Sequence, residues 1–155
     1  MDGAVKRAIG AMAAGLFVAA GSAGCRGEEV ARVKLAKPGD AADTTWKAGG
    51  AETVQLWSDY EGDWTNGKNP GLDYMVELVE GTAVVQTVSC QTGTCSTSVC
   101  SSTVSINNKT SGACECKMSC TLAAPKAGTY TVKAKVADPG GHMSASKNVS
   151  LVLRK

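Results

Sequence analysis

Six of the seven cysteines in this 155-residue chain lie between positions 90 and 120. They are Cys90, Cys95, Cys100, Cys114, Cys116 and Cys120. Cysteines this close together form disulfides in an oxidising compartment, whereas reduced cysteines coordinate soft ions such as Cu(I) or Zn(II). We expect three disulfides, because the amino terminus carries an export signal, and a metal site at the reduced cysteines is the alternative. The pairing stays open, since six cysteines allow fifteen connectivities.

An acidic segment provides a second candidate site. Asp59, Glu61 and Asp63 place carboxylates at alternate positions, and turn dipeptides follow, so we expect a loop over residues 59–71. Clustered oxygen ligands bind Ca²⁺, although this segment does not fit the EF-hand pattern. The prediction is a solvated acidic loop, with a Ca²⁺ site at these three carboxylates as the alternative.

Four aromatic residues in and around this segment are candidates for binding a partner: Trp46, Trp57, Tyr60 and Trp64. In an alternating strand, Trp57 falls on the face opposite Val54 and Leu56. An outward aromatic row would stack on sugar rings or seat a partner protein, because aromatic side chains dominate such contacts. We expect instead that the amino-terminal segment covers these side chains, since such packing over Trp57 is ordinary, and the outward row is the alternative.

The sequence does not indicate catalysis. His142 is the only histidine, and no serine or cysteine nucleophile stands at a recognisable spacing from it, so a hydrolase would lack its base and nucleophile. No Cys-x-x-Cys motif is present, which argues against a thioredoxin-like oxidoreductase. We therefore expect a protein that is not an enzyme and that carries no cofactor.

The amino terminus has the composition of an export signal. Lys6 and Arg7 precede a run of small and apolar residues at positions 8–20 that carries no charge. This run is shorter than the ~20 apolar residues that a spanning helix needs. Small residues then lead directly to Cys25. We predict a signal peptide over residues 1–24, and ordinary signal-peptidase cleavage is one way in which it would be removed.

The residues Ala23, Gly24 and Cys25 resemble the end of the signal in bacterial lipoproteins. The resemblance implies that Cys25 becomes thioether-linked to diacylglycerol, that the chain is cleaved before it and that the new amino terminus is acylated. Such a protein is fixed to the cell envelope by its lipid. Arg26 rather than Asp follows the cysteine, which by the same resemblance favours the outer membrane. Lipidation also removes the odd cysteine and leaves an even six for disulfides.

The charge balance argues against a nucleic-acid partner. The formal net charge is +2, and removing Asp2, Lys6 and Arg7 with the signal peptide subtracts one, which leaves +1. No basic stripe with interleaved aromatic residues is present. The partners we expect are the membrane, through the lipid, and a protein or glycan of the cell envelope.

Alternation of apolar and polar residues predicts strands along most of the chain. The clearest segments are 73–79, 113–122 and 129–136. In the second of these, the alternation turns Cys114, Cys116 and Cys120 toward one core. With the weaker segments we predict seven or eight strands, no helix after the signal peptide and an all-β sandwich of Greek-key type.

The carboxy-terminal third resembles immunoglobulin-like and fibronectin type III domains. Residues 122–132 are similar to the turn into their strand F, and the resemblance implies that the hydroxyl of Tyr130 bonds back to the preceding loop. Residues 132–153 resemble the final hairpin of bacterial Ig-like and PKD-like repeats. We therefore expect an Ig-like sandwich over residues 51–155, with a tether and one candidate edge strand within residues 25–50. The expected function is a non-catalytic envelope module that binds a protein or glycan, and an envelope metal-binding protein is the alternative.

Overall fold

The computed structural model describes residues 26–65 and 69–155, and these residues form nine β-strands and one short 3₁₀ turn. The strands are β1 (Glu29–Lys34), β2 (Ala41–Ala48), β3 (Glu52–Thr65), β4 (Asp73–Glu80), β5 (Ala83–Gln91), β6 (Thr97–Ile106), β7 (Lys109–Ala124), β8 (Gly128–Ala137) and β9 (Met143–Arg154). The predicted signal peptide and Cys25 lie outside the described residues. Residues 26–50, expected to hold a tether and one candidate edge strand, instead contain two strands. The count of nine exceeds the predicted seven or eight for this reason.

The strands pair into two antiparallel sheets. One sheet has five strands in the order β1-β9-β3-β7-β6, and the other has four in the order β2-β8-β4-β5. Apolar side chains from both sheets fill the space between them. The chain is therefore an all-β sandwich, as its alternating sequence predicted.

Side-chain alternation explains which residues form the core. Tyr74, Val76 and Leu78 on β4 are buried, as predicted, and β8 shows the same period of two. Alternation over residues 83–90 of the sequence also predicts that Val84 on β5 faces inward, but 54% of it is exposed. Strand β5 lies at the edge of its sheet, and its register with β4 shifts just after Leu78. The shift turns the start of β5 outward, and so this prediction was wrong.

The final hairpin expected from the resemblance is absent from the described residues. Strand β8 pairs with β2 and β4, whereas β9 pairs with β1 and β3 in the other sheet. Residues 149–153 are buried without interruption, so both faces of β9 are covered over this stretch. Residues 138–142 therefore carry the chain from one sheet to the other.

Strand β3 replaces much of the predicted acidic loop. It continues to Thr65 and pairs with β7 on one side and β9 on the other. Tyr60, Gly62 and Trp64 are buried while the residues between them are partly exposed, which is strand periodicity. The expectation of a loop from position 59 was therefore wrong for residues 59–65.

Candidate functional site

Three disulfides join the six clustered cysteines. Their Cα–Cα distances are 5.9 Å for Cys90–Cys120, 5.5 Å for Cys95–Cys116 and 4.1 Å for Cys100–Cys114. The first two distances lie within the usual range for disulfides and the third lies just below it, and the three bonded pairs confirm the expectation of three disulfides. A sulfur bonded to a second sulfur is not the thiolate that binds a soft metal. The alternative of a metal site at reduced cysteines is therefore not formed in this structure.

The cysteines of β7 are placed by its alternation. Cys114 and Cys116 are buried in the core, whereas Cys120 is only partly buried and packs against it. Thr92 fixes the connection that leads to Cys95, because its hydroxyl donates to the carbonyl of Pro70 at 2.7 Å and accepts from the amide of Leu72 at 2.9 Å. The disulfides therefore fasten β5, the 3₁₀ turn and β6 to one strand, β7.

The three predicted carboxylates lie at alternate positions along β3, and each is paired with a cation. The oxygen–nitrogen distances are 2.6 Å for Asp59 to Arg32, 3.9 Å for Glu61 to Lys147 and 3.9 Å for Asp63 to Lys109. Asp63 also accepts a hydrogen bond of 2.5 Å from the hydroxyl of Ser111. Among the described residues, no group of three or more His, Cys, Asp or Glu side chains is placed to hold a metal. The geometry therefore gives the Ca²⁺ alternative no coordination cluster.

Arg32 joins the first strand to the middle of its sheet. Its guanidinium donates to both carboxylate oxygens of Glu29 at 2.8 and 2.9 Å and to Asp59 at 2.6 Å. The hydrogen bonds that Arg32 donates to Glu29 lower the pKa of Glu29. The same bonds raise the pKa of Arg32, and the hydrogen bond to Asp59 raises it further by a smaller amount. Because Glu29 and Arg32 lie on β1 and Asp59 lies on β3, this network fastens β1 across β9.

The four candidate aromatic residues are buried, as expected, so the alternative of an outward aromatic row is wrong. Their exposed fractions are 0% for Trp46, 4% for Trp57, 2% for Tyr60 and 2% for Trp64. Three of them belong to the core, where Trp46 packs on Tyr130 and Tyr60 contacts Trp64 edge-on at 5.9 Å. Trp57 lies outside that core cluster, and the guanidinium of Arg154 covers its ring at 5.7 Å. A carboxy-terminal side chain thus lies over Trp57, where the amino-terminal segment was the expected cover.

Two buried tyrosines use their hydroxyls inside the sandwich. The hydroxyl of Tyr130 donates to the carbonyl of Lys126 at 2.8 Å, which confirms the hydrogen bond expected back to the preceding loop. The hydroxyls of Tyr74 and Ser58 lie 2.6 Å apart and link the two sheets. Burial raises the pKa of Tyr74 far above its ordinary value. Both tyrosines therefore serve the fold.

The sequence interpretation missed one surface feature, which we call the uncharged wall: the surface formed by the edge strands β5 and β6. Residues 81–108 contain no Asp, Glu, Lys, Arg or His, although 19% of the whole chain is charged. This stretch forms β5 and β6, one edge strand of each sheet. Val84, Val85, Val99 and Ile106 on these strands are exposed. The missing charges were the available signal, and strand alternation alone could not reveal it.

No protein-family model, curated protein or solved structure matches this chain. Within the described residues, no helix has the length and apolar character needed to cross a membrane. The function is therefore inferred from the residues and geometry of the chain itself.

Proposed function

We propose that this protein is a non-catalytic, lipid-anchored protein of the cell envelope whose sandwich domain binds a partner. One observation carries the proposal. Six of the seven cysteines are bonded to one another, and the seventh, Cys25, follows a short uncharged run and small residues. A cysteine in that position is the acceptor of the lipid in bacterial lipoproteins.

The disulfides support export. Disulfides persist in oxidising compartments and are rare in the cytosol. Strand β1 begins at Glu29, and Arg26 already forms an ion pair with Glu115 at 2.8 Å. A lipid on Cys25 would hold the domain close to the membrane surface. Arg26 after the cysteine favours the outer membrane by the lipoprotein resemblance.

The strand order supports an Ig-like sandwich with a changed last strand. Strands β3 and β7 are neighbours in one sheet, and β4 and β8 are neighbours in the other. Strands B and E, and strands C and F, have these relations in immunoglobulin domains, where a tyrosine also marks the corner before F. Tyr130 at the start of β8 fits that role. Strand β9 departs from the pattern, because it joins the sheet of β3 and not the sheet of β8.

The edges of the sheets favour a protein partner over a glycan. The aromatic rings that would stack on sugars are buried. Edge strands present backbone donors and acceptors to which another strand can add, and charged side chains usually prevent this. Edges β1 and β2 carry such charges, Lys34 and Asp43 among them, whereas β5 and β6 carry none. The uncharged wall is the surface we assign to the partner.

Metabolic labelling with a fatty acid tests the anchor. The native chain should incorporate the label, and Cys25→Ser should incorporate none. A matched control removes two other cysteines together, Cys95→Ala with Cys116→Ala, and should keep the label. An unlabelled native chain would refute the lipid anchor.

Site-specific crosslinking tests the partner surface. A photoreactive residue at Ser98 should yield a defined adduct in the intact envelope, and Val99→Lys with Ile106→Lys should abolish it, because lysines on an edge strand oppose strand addition. Thr45→Lys, on the opposite edge strand β2, is the control and should leave the adduct unchanged. The same adduct from both variants would contradict the assignment.

A further inference from the structure

A basic concavity lies on the outer face of the five-stranded sheet, next to the first described residue. Its volume is about 310 Å³, and four of its lining side chains are cationic: Arg26, Lys117, Arg154 and Lys155. Trp57 also lines it, and no Asp or Glu side chain does. Two other concavities have linings that carry both signs of charge. One is lined by Asp43, Glu77 and two lysines. The other is lined by Glu61, Asp63 and Lys147. The lining beside Arg26 differs from these two because it has several cations and no Asp or Glu side chain.

The cations of this basic concavity are held in place from outside it. Arg26 pairs with Glu115 at 2.8 Å, Arg154 with Glu29 at 3.6 Å and Lys155 with Glu52 at 3.5 Å. Within the described part of the chain, Lys117 has no ion pair. The buried Nε of Arg154 likewise has no hydrogen-bond partner there. The concavity thus offers an unpaired ammonium beside positioned guanidinium groups.

We propose that the basic concavity binds a phosphate group. Guanidinium and ammonium groups together give phosphate oxygens charge-assisted hydrogen bonds. The ring of Trp57 lies 5.7 Å from the guanidinium of Arg154 and helps to hold that group at the concavity. Arg26 directly follows Cys25 in the sequence, so a lipid there would enter the membrane beside the concavity. Resting on the proposed anchor, we infer that the phosphate belongs to a phospholipid headgroup.

NMR titration of the native protein in neutral detergent micelles tests this site. The probes are glycerophosphoglycerol, which is a deacylated diester headgroup, and inorganic phosphate. The indole N–H signal of Trp57, assigned through Trp57→Phe, should shift and saturate with the diester. Lys117→Ala should weaken binding roughly fivefold, the size expected for one basic residue at an anionic lipid surface. Lys133→Ala, an exposed lysine of β8 in the other sheet, should leave binding unchanged.

The outcomes separate the site from the anchor. Saturation by inorganic phosphate alone, still weakened by Lys117→Ala, would support the phosphate site and overturn the lipid source. No shift of the Trp57 signal with either probe would overturn the site. Equal weakening by Lys133→Ala would also overturn it, because the binding would then follow overall charge. Loss of fatty-acid labelling would refute the anchor without changing the titration by inorganic phosphate.

Discussion

The disulfide between Cys90 and Cys120 links the two sheets of the sandwich. Cys90 lies on β5 in the four-stranded sheet and Cys120 on β7 in the five-stranded sheet, with Cα atoms 5.9 Å apart. The other two disulfides tie β6, and the turn before it, to β7. Cys90–Cys120 therefore fixes how the sheets meet at the uncharged wall.

Removing Cys90–Cys120 should destabilise the protein more than removing Cys100–Cys114. The sequence separations are 30 and 14 residues, and the loop-entropy model gives about 4 and about 3 kcal/mol. Urea unfolding of the double variants Cys90→Ala/Cys120→Ala and Cys100→Ala/Cys114→Ala measures the difference. A larger loss from the second variant would show that the link between the sheets is not the dominant one.

Tyr130→Phe should cost about 1–2 kcal/mol of unfolding free energy, because it leaves the carbonyl of Lys126 without its donor in a partly buried site. Lys126→Ala keeps that carbonyl and serves as the control, with a change near zero expected. Chemical denaturation of both variants makes the comparison. Equal stabilities for Tyr130→Phe and the native protein would mean that the corner hydrogen bond contributes nothing.

Gly62→Ala should destabilise the protein by about 1–3 kcal/mol, the usual cost of overpacking. A Cβ at Gly62 would collide with the backbone carbonyl oxygen of Ala145, which lies on β9 and cannot rotate away. Gly71→Ala is the control, since a Cβ there meets no atom within 4 Å. Thermal unfolding compares the two variants, and a Gly62→Ala protein as stable as Gly71→Ala would place β9 elsewhere.

Acid should weaken the attachment of β1 through Glu29. Its pKa is lowered in the folded protein by the hydrogen bonds from Arg32, so its stabilising contribution is complete above the ordinary pKa of 4.5. That contribution is lost as the pH falls through the lower folded value. The native protein should therefore lose stability more steeply below pH 4.5 than Glu29→Gln does. Urea midpoints measured against pH test this, with Glu28→Gln as the control, and parallel curves for the native protein and Glu29→Gln would contradict it.

The sequence was most informative where one residue type decided the structure. Cysteine number predicted three disulfides, although the connectivity needed the fold. Period-two alternation placed Tyr74, Val76 and Leu78 in the core, because a strand with one buried face allows one register. The architecture of two packed sheets followed from such segments.

The sequence was least informative where distant strands decide the environment. Carboxylates alternating with Tyr60, Gly62 and Trp64 were interpreted as a loop, although a strand with a charged outer face has the same pattern. The turn between β8 and β9 suggested a hairpin. The hairpin does not form, because β9 pairs instead with β3, which lies far from it in the sequence. Trp57 was placed on the correct face, but the contact from Arg154 that covers it comes from the far end of the chain.

Intact mass spectrometry of the protein purified from membranes tests the central claim most directly. The measurement is made with and without reduction and alkylation. The account predicts the mass of residues 25–155 plus a diacylglyceryl group on Cys25 and one acyl chain on its amino group. Six alkylated thiols should appear after reduction and not before. A mass without lipid, together with cysteines that alkylate without reduction, would contradict both the anchor and the disulfides.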